Sequence, residues 1–168
     1  MSEGKPAVPV RQVLQVCVVV RDLQRAMERY WNVLGIGPWR IHTYHPPRLT
    51  DTTLRGKSQP YTMRLALAEV GLVQWELIQP LEGPSIYKEF LKEKGEGLHH
   101  VAFAVDDYDQ AVGAFKKQGI GILMSGTVDG GTYAYMDTQE ALGMIAEVYR
   151  RPPDHRPLQP EAVWPSQA

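Results

Sequence analysis

Apolar and polar positions along this chain fall into short alternating runs broken by helical stripes, and the whole order then repeats. Val13 to Val20 predicts a strand that ends at Arg21-Asp22. Asp22 is placed to cap a helix over Leu23 to Leu34, where Leu23, Met27, Tyr30 and Leu34 form one stripe, and Gly35-Ile36-Gly37-Pro38 stops it. Trp39 to Tyr44 predicts a second strand. From His45 to Ser58, prolines, hydroxyl side chains and alternating charges predict a long surface loop. Tyr61 to Val70 and Leu72 to Gln79 predict a hairpin about Gly71. A turn follows over Pro80 to Gly83, and Pro84 opens a connecting helix that runs to Lys94.

At Gly97 the pattern starts again. Leu98 to Val105 predicts a strand, Asp107 caps a helix over Tyr108 to Gln118, and Gly119-Ile120-Gly121 ends it. Ile122 to Thr127 and Thr132 to Met136 predict two strands joined at Gly130-Gly131. Leu142 to Tyr149 is the last strand, after a loop at Asp137 to Ala141. Asp22 matches Asp107, Ala26 matches Ala111 and Tyr30 matches Phe115, all at one offset of 85. Each half is therefore a βαβββ unit, which predicts an α+β fold. The expected units are a first module at 10–83, a connecting helix at 84–96, a second module at 97–150 and a proline-rich tail at 151–168. The tail's five prolines predict no regular structure there, with Trp164 as its anchor on the body or on another subunit.

Composition narrows the function classes. A net charge of -1 over 168 residues, with no basic run, argues against a nucleic-acid partner. No apolar run reaches the length of a membrane span, and the N-terminus carries no signal-peptide core, so a cytoplasmic, membrane-free protein is expected. The single cysteine, Cys17, excludes an internal disulfide; within Val16-Cys17-Val18-Val19-Val20 it reads as a small core residue.

The candidate chemistry sits on the strands. In Leu98 to Val105, His100 shares a face with Leu98, Ala102 and Ala104, while His99, Val101, Phe103 and Val105 form the bulkier opposite face. Small residues beside an imidazole leave room around a potential metal ligand. The offset of 85 sets Gln15 opposite His100, and Gln15, Cys17 and Val19 again share a face. Glu76 and Glu147 each lie amid apolar residues in the fourth strand of their half, where an unpaired carboxylate is costly to bury. One imidazole, two carboxylates and one amide oxygen suit a divalent ion of the zinc, nickel, cobalt or manganese kind.

With these residues in place, Val13 to Arg150 resembles the vicinal oxygen chelate superfamily, which includes glyoxalase I, methylmalonyl-CoA epimerase, extradiol dioxygenases and bleomycin-resistance proteins. The run from Trp75-Glu76-Leu77-Ile78-Gln79-Pro80-Leu81 to Gly95-Glu96-Gly97-Leu98-His99-His100 is similar in order and spacing to the epimerase branch. The resemblance implies that the two modules curl into one cup-shaped mixed sheet, with a metal between them held by Gln15, Glu76, His100 and Glu147. It also implies a homodimer and a small carbonyl substrate, an acyl thioester in the epimerase branch. The reaction it implies is proton abstraction next to a metal-bound carbonyl, with Glu147 as both ligand and base.

Two positions depart from that branch. Gln15 stands where the epimerases usually carry histidine, and the resulting set is similar to that of zinc-type glyoxalase I. The second acidic base of the epimerases would fall around Gln59-Pro60, where no base exists; His42, His45 and Asp51 are the nearby candidates to replace it. These three, with Tyr44 and Tyr61, are the expected substrate-binding residues. The alternatives are a glyoxalase I-type lyase, or a metal-free binding protein whose cup is lined by Trp39, Tyr44, Tyr61, Trp75 and Tyr133.

Overall fold

Asp22 and Asp107 cap equivalent helices in the same way, so the repeat is visible in backbone geometry. In a computed structural model, which describes residues 6–153 and 159–166, each aspartate is extended and accepts a hydrogen bond from the amide three residues on, Arg25 and Gln110 respectively. The first half contains β1 (Val10–Val19), α1 (Leu23–Leu34), β2 (Trp39–Tyr44), β3 (Leu49–Leu54), β4 (Lys57–Ser58), β5 (Met63–Val70) and β6 (Val73–Pro80). A linking helix α2 (Ile86–Glu93) follows. The second half contains β7 (Gly97–Val105), α3 (Tyr108–Lys117), β8 (Ile122–Val128), β9 (Gly131–Met136), α4 (Gln139–Leu142) and β10 (Ile145–Arg150), and β11 (Ala162–Trp164) comes last.

Among the described residues all strands join one mixed sheet in the order β11-β2-β5-β6-β1-β7-β10-β9-β8-β3-β4. Within each half the first strand runs parallel to the fourth, β1 with β6 and β7 with β10. The halves meet where β1 and β7 pair antiparallel. The sheet curls into a cup. On its outer side α1 packs through Leu23, Ala26 and Met27 against Trp39, Ala66 and Leu77, and α3 packs through Val112 and Phe115 against Ala134 and Val148. Tyr61 and Tyr133, from opposite halves, close the inner wall with hydroxyls 2.5 Å apart. Gly126 makes room for them: a Cβ there would lie 2.6 Å from the Tyr133 hydroxyl.

Several sequence expectations are corrected. The segment from His45 to Ser58 is not simply a loop, because Leu49 to Leu54 forms β3 and pairs with β8 of the other half. Its alternation is masked by Thr50, Asp51, Thr52 and Thr53, and only the distant edge of β8 supplies its partner. β5 begins at Met63 rather than Tyr61. The helix before β7 starts after Ser85, whose hydroxyl accepts from the Lys88 amide, rather than at Pro84. Leu142 belongs to α4, which Gly143 ends in a left-handed conformation, so the last strand of the module starts at Ile145.

The tail is not wholly irregular either. β11 pairs antiparallel with β2, setting Trp164 opposite Trp39 and against the ring of Trp31. Glu161 reinforces the seam by accepting from the Thr43 amide and hydroxyl. An otherwise open sheet edge is thereby covered.

Candidate metal centre

Strand register builds the site as two short rows on the inner face of the cup. One row runs Glu76 on β6, Cys17 on β1 and His100 on β7. The other runs Gln15 on β1, Ala102 on β7 and Glu147 on β10. At the sequence offset of 85, Cys17 corresponds to Ala102 and Gln15 to His100, so the rows are related by the internal two-fold. A small residue occupies the middle of each, which leaves space between the polar ends.

The four expected ligands are brought together. His100 Nε2 lies 3.1 Å from Glu147 Oε2 and 3.4 Å from Glu76 Oε2. The single Tyr149 hydroxyl is placed between the Gln15 side-chain amide oxygen and Glu147 Oε2, 3.1 Å from the latter, and can donate to either. Gln15 in turn donates from Nε2 to Gln74. All four side chains are buried. His100 Nδ1 is 2.9 Å from His99 Nδ1, which fixes the ring with Nε2 toward the carboxylates. His99 itself packs behind the site on Tyr87 and Phe90.

Electrostatics favours positive charge at this point. Burial lowers the His100 pKa, while the facing Glu147 carboxylate raises it. Burial raises the Glu147 pKa, and His100 offsets that only in part. Burial pushes the Cys17 thiol up to about 12, so it stays protonated. Burial also lowers His99 to about 2, with His100 adding to the effect.

The residues fit a divalent cation on a structural ground. Despite its short distances to two carboxylates, buried His100 Nε2 makes no hydrogen bond, and an unsatisfied buried polar atom is costly. A divalent ion held among these nitrogen and oxygen donors would satisfy it and neutralise the facing carboxylates. Cys17 Sγ, a Glu76 oxygen and a His100 nitrogen also lie within 4.8 Å of one another. The sequence predicts Cys17 as a core residue only. It is core, but its sulfur also adjoins the centre, because antiparallel pairing sets it across from His100.

Above the centre opens a cavity of about 330 Å³. Gln15, Glu76, Glu147 and Tyr149 contribute to its lining, Met63, Leu65, Leu67 and Ile78 give it an apolar wall, and Arg40, Glu69 and Arg151 also line it. Of the expected substrate-binding residues, His42 and Tyr44 line this cavity. The other three do not. His45 is exposed with Nδ1 against the Pro46 carbonyl, and pairing of β3 with β8 leaves Asp51 exposed, accepting from the Thr50 hydroxyl. Tyr61 is held in the wall by Tyr133 and the Ser125 carbonyl. Of the five proposed cup aromatics, Trp39 and Trp75 instead belong to the outer core beneath α1. Tyr149 was missed, although it lies two residues beyond Glu147 and therefore on the same strand face.

Residues 14–136 match the family model described as the Glyoxalase/Bleomycin resistance protein/Dioxygenase superfamily, and the chain belongs to that superfamily. It is 26% identical over 142 residues to the uncharacterised Bacillus subtilis protein YqjC, covering 78% of this chain and 86% of that one. It is 32% identical over 109 residues to the mitochondrial methylmalonyl-CoA epimerase of Bos taurus, covering 64% of this chain and 54% of the bovine protein, so it matches about half of that relative's length. Its fold is that of the Mycobacterium tuberculosis methylmalonyl-CoA epimerase structure, with a TM-score of 0.62 at 22% identity over 90% of this chain and 95% of that one. No helix among the described residues is long and apolar enough to cross a membrane.

Proposed function

We propose that this protein is a metal-dependent isomerase that abstracts a proton next to a carbonyl, in the manner of methylmalonyl-CoA epimerase. The observation that carries this reading is the buried His100 Nε2, without a hydrogen bond, between Glu147 and Glu76 beneath an open cavity. Gln15, Glu76, His100 and Glu147 are the residues that would hold zinc, nickel, cobalt or manganese. A divalent ion there supplies Lewis-acid polarisation of a carbonyl, worth several kcal/mol of barrier.

The protein groups do the rest. Glu147 takes the α-proton from its place in the cavity lining. The Tyr149 phenol, kept protonated chiefly by burial, orients Glu147 and Gln15 together. Met63, Leu65, Leu67 and Ile78 exclude water from the reacting carbon. A cavity of about 330 Å³ suits the acyl end of a small thioester, with the rest of the substrate leaving past Arg40 and Arg151. We place the enzyme in the cytoplasm as a homodimer, which light scattering checks.

Gln15 also favours a second reading, a glyoxalase I-type lyase acting on a glutathione hemithioacetal. Metal-loaded protein is incubated in deuterated water with racemic methylmalonyl-CoA, and separately with the methylglyoxal–glutathione hemithioacetal. Deuterium entry at the thioester α-carbon, abolished by Glu147→Gln, supports the isomerase. Turnover of the hemithioacetal alone supports the lyase. Exchange of neither above the Glu147→Gln background rejects proton abstraction and leaves a binding protein.

A further inference from the structure

We propose that His42 is the second acid–base residue, working from the first-half wall of the cavity on the substrate face opposite Glu147. This rests on the isomerase reading above. Inverting a carbon centre requires one group to remove a proton from one face and another to deliver a proton to the other. β5, where the second carboxylate of the related epimerases is expected nearby, presents Met63, Leu65 and Leu67 to the cavity, with Glu69 at its far end.

His42 lies on β2 directly beside Leu65. It is only 3% exposed, it lines the cavity together with Glu147, and its Nδ1 is enclosed with no hydrogen-bond partner. An imidazole on the cavity wall with no hydrogen bond at its enclosed Nδ1 is not tied to a structural partner there, which leaves the ring available to a ligand. The competing groups are committed elsewhere. Glu69 is exposed and bonded to Arg40 and Gln74. Tyr44, Tyr133 and Tyr135 all have pKa values raised mainly by burial.

The charged and titratable groups acting on His42 are Arg40, Arg48 and Glu161, and Tyr44 packs beside its ring. Burial, then Arg40 and Arg48, lower its pKa, against an opposing effect of Glu161, so it is a neutral base at neutral pH. In one direction neutral His42 takes the α-proton, the C–H electron pair stays on the enolate, and protonated Glu147 delivers a proton to the other face. In the reverse direction the Glu147 carboxylate takes the proton and the His42 imidazolium returns one. Exchange with solvent resets both groups.

The test uses metal-loaded enzyme and each C2 epimer of methylmalonyl-CoA separately in deuterated water. α-Deuterium entry and interconversion of the epimers are measured independently. In His42→Gln, one epimer should still take up deuterium at close to the wild-type rate, while interconversion falls by about 100-fold or more. His42→Asn should give the same split and serves if the glutamine variant does not fold. Wild-type interconversion in a folded variant of either kind overturns the role of His42 and leaves the isomerase reading standing. Equal loss of exchange from both epimers, with the fold intact, also overturns it, because a one-face group cannot abolish both. If the wild type itself exchanges neither epimer above Glu147→Gln, the isomerase reading fails, and this proposal with it.

Discussion

Cys17 lies directly across from His100 in the antiparallel pairing of β1 with β7, with no exposed surface. Burial pushes its thiol up to about 12, so the reactive thiolate is absent near neutral pH. Iodoacetamide at pH 8 should modify the native protein at least about 100-fold more slowly than the unfolded chain, since labelling requires opening of the sheet centre. Mass spectrometry reads the result. Labelling of the folded protein at the rate of a free thiol would contradict this burial.

Tyr149 ties Glu147 and Gln15 to one hydroxyl. Tyr149→Phe removes the donor while keeping the ring, so the fold should persist. Metal affinity should weaken by about 10–100-fold, the usual consequence of losing a group that orients ligands. Calorimetric titration with cobalt measures it, and unchanged affinity would show that Tyr149 does not position the site.

The halves of this site differ in how far sequence alone revealed them. The offset of 85 paired Gln15 with His100, and the apolar neighbours of Glu76 and Glu147 marked both as anomalous; those are local signals. The place of Cys17 depends on register across β1 and β7, which no offset within the repeat contains. β3 lies inside the predicted loop because its polar threonines reveal nothing of the β8 edge it joins. β11 likewise needs β2 to exist, and a three-residue strand after four prolines gives no periodicity to detect. Tyr149 was within reach, two residues beyond Glu147 on the same face.

His99 makes the fold sensitive to acid. Its ordinary pKa of 6.5 falls to about 2 through burial, with His100 contributing. Below pH 6.5 the unfolded chain takes up a proton that the folded chain refuses. Stability from this group is complete above 6.5 and is lost as pH falls toward 2, at up to about 1.4 kcal/mol per pH unit. His99→Phe should flatten the fall in melting temperature between pH 6.5 and 4. A slope identical to wild type would show that His99 is not the group responsible.

Trp164 holds the last strand to the body. It is half-buried, opposite Trp39 and against Trp31. Trp164→Ala should cost about 1–3 kcal/mol, less than a fully buried tryptophan, and lower the melting temperature by several degrees. It should also promote association through the uncovered β2 edge. Thermal melts and light scattering report both effects, and a melt superimposable on wild type would show that β11 contributes nothing.

The metal content of the protein tests the centre itself. Purified protein, loaded separately with zinc, nickel, cobalt and manganese and desalted, is measured by inductively coupled plasma mass spectrometry alongside His100→Ala and Glu76→Gln/Glu147→Gln variants. One divalent ion per chain is expected in the wild type, falling to trace levels in the variants. The melting temperature should rise with the ion, since about 100-fold saturation over Kd adds about 2.7 kcal/mol. A wild-type protein that retains none of the four ions and melts at the same temperature with or without them would contradict the account of this site.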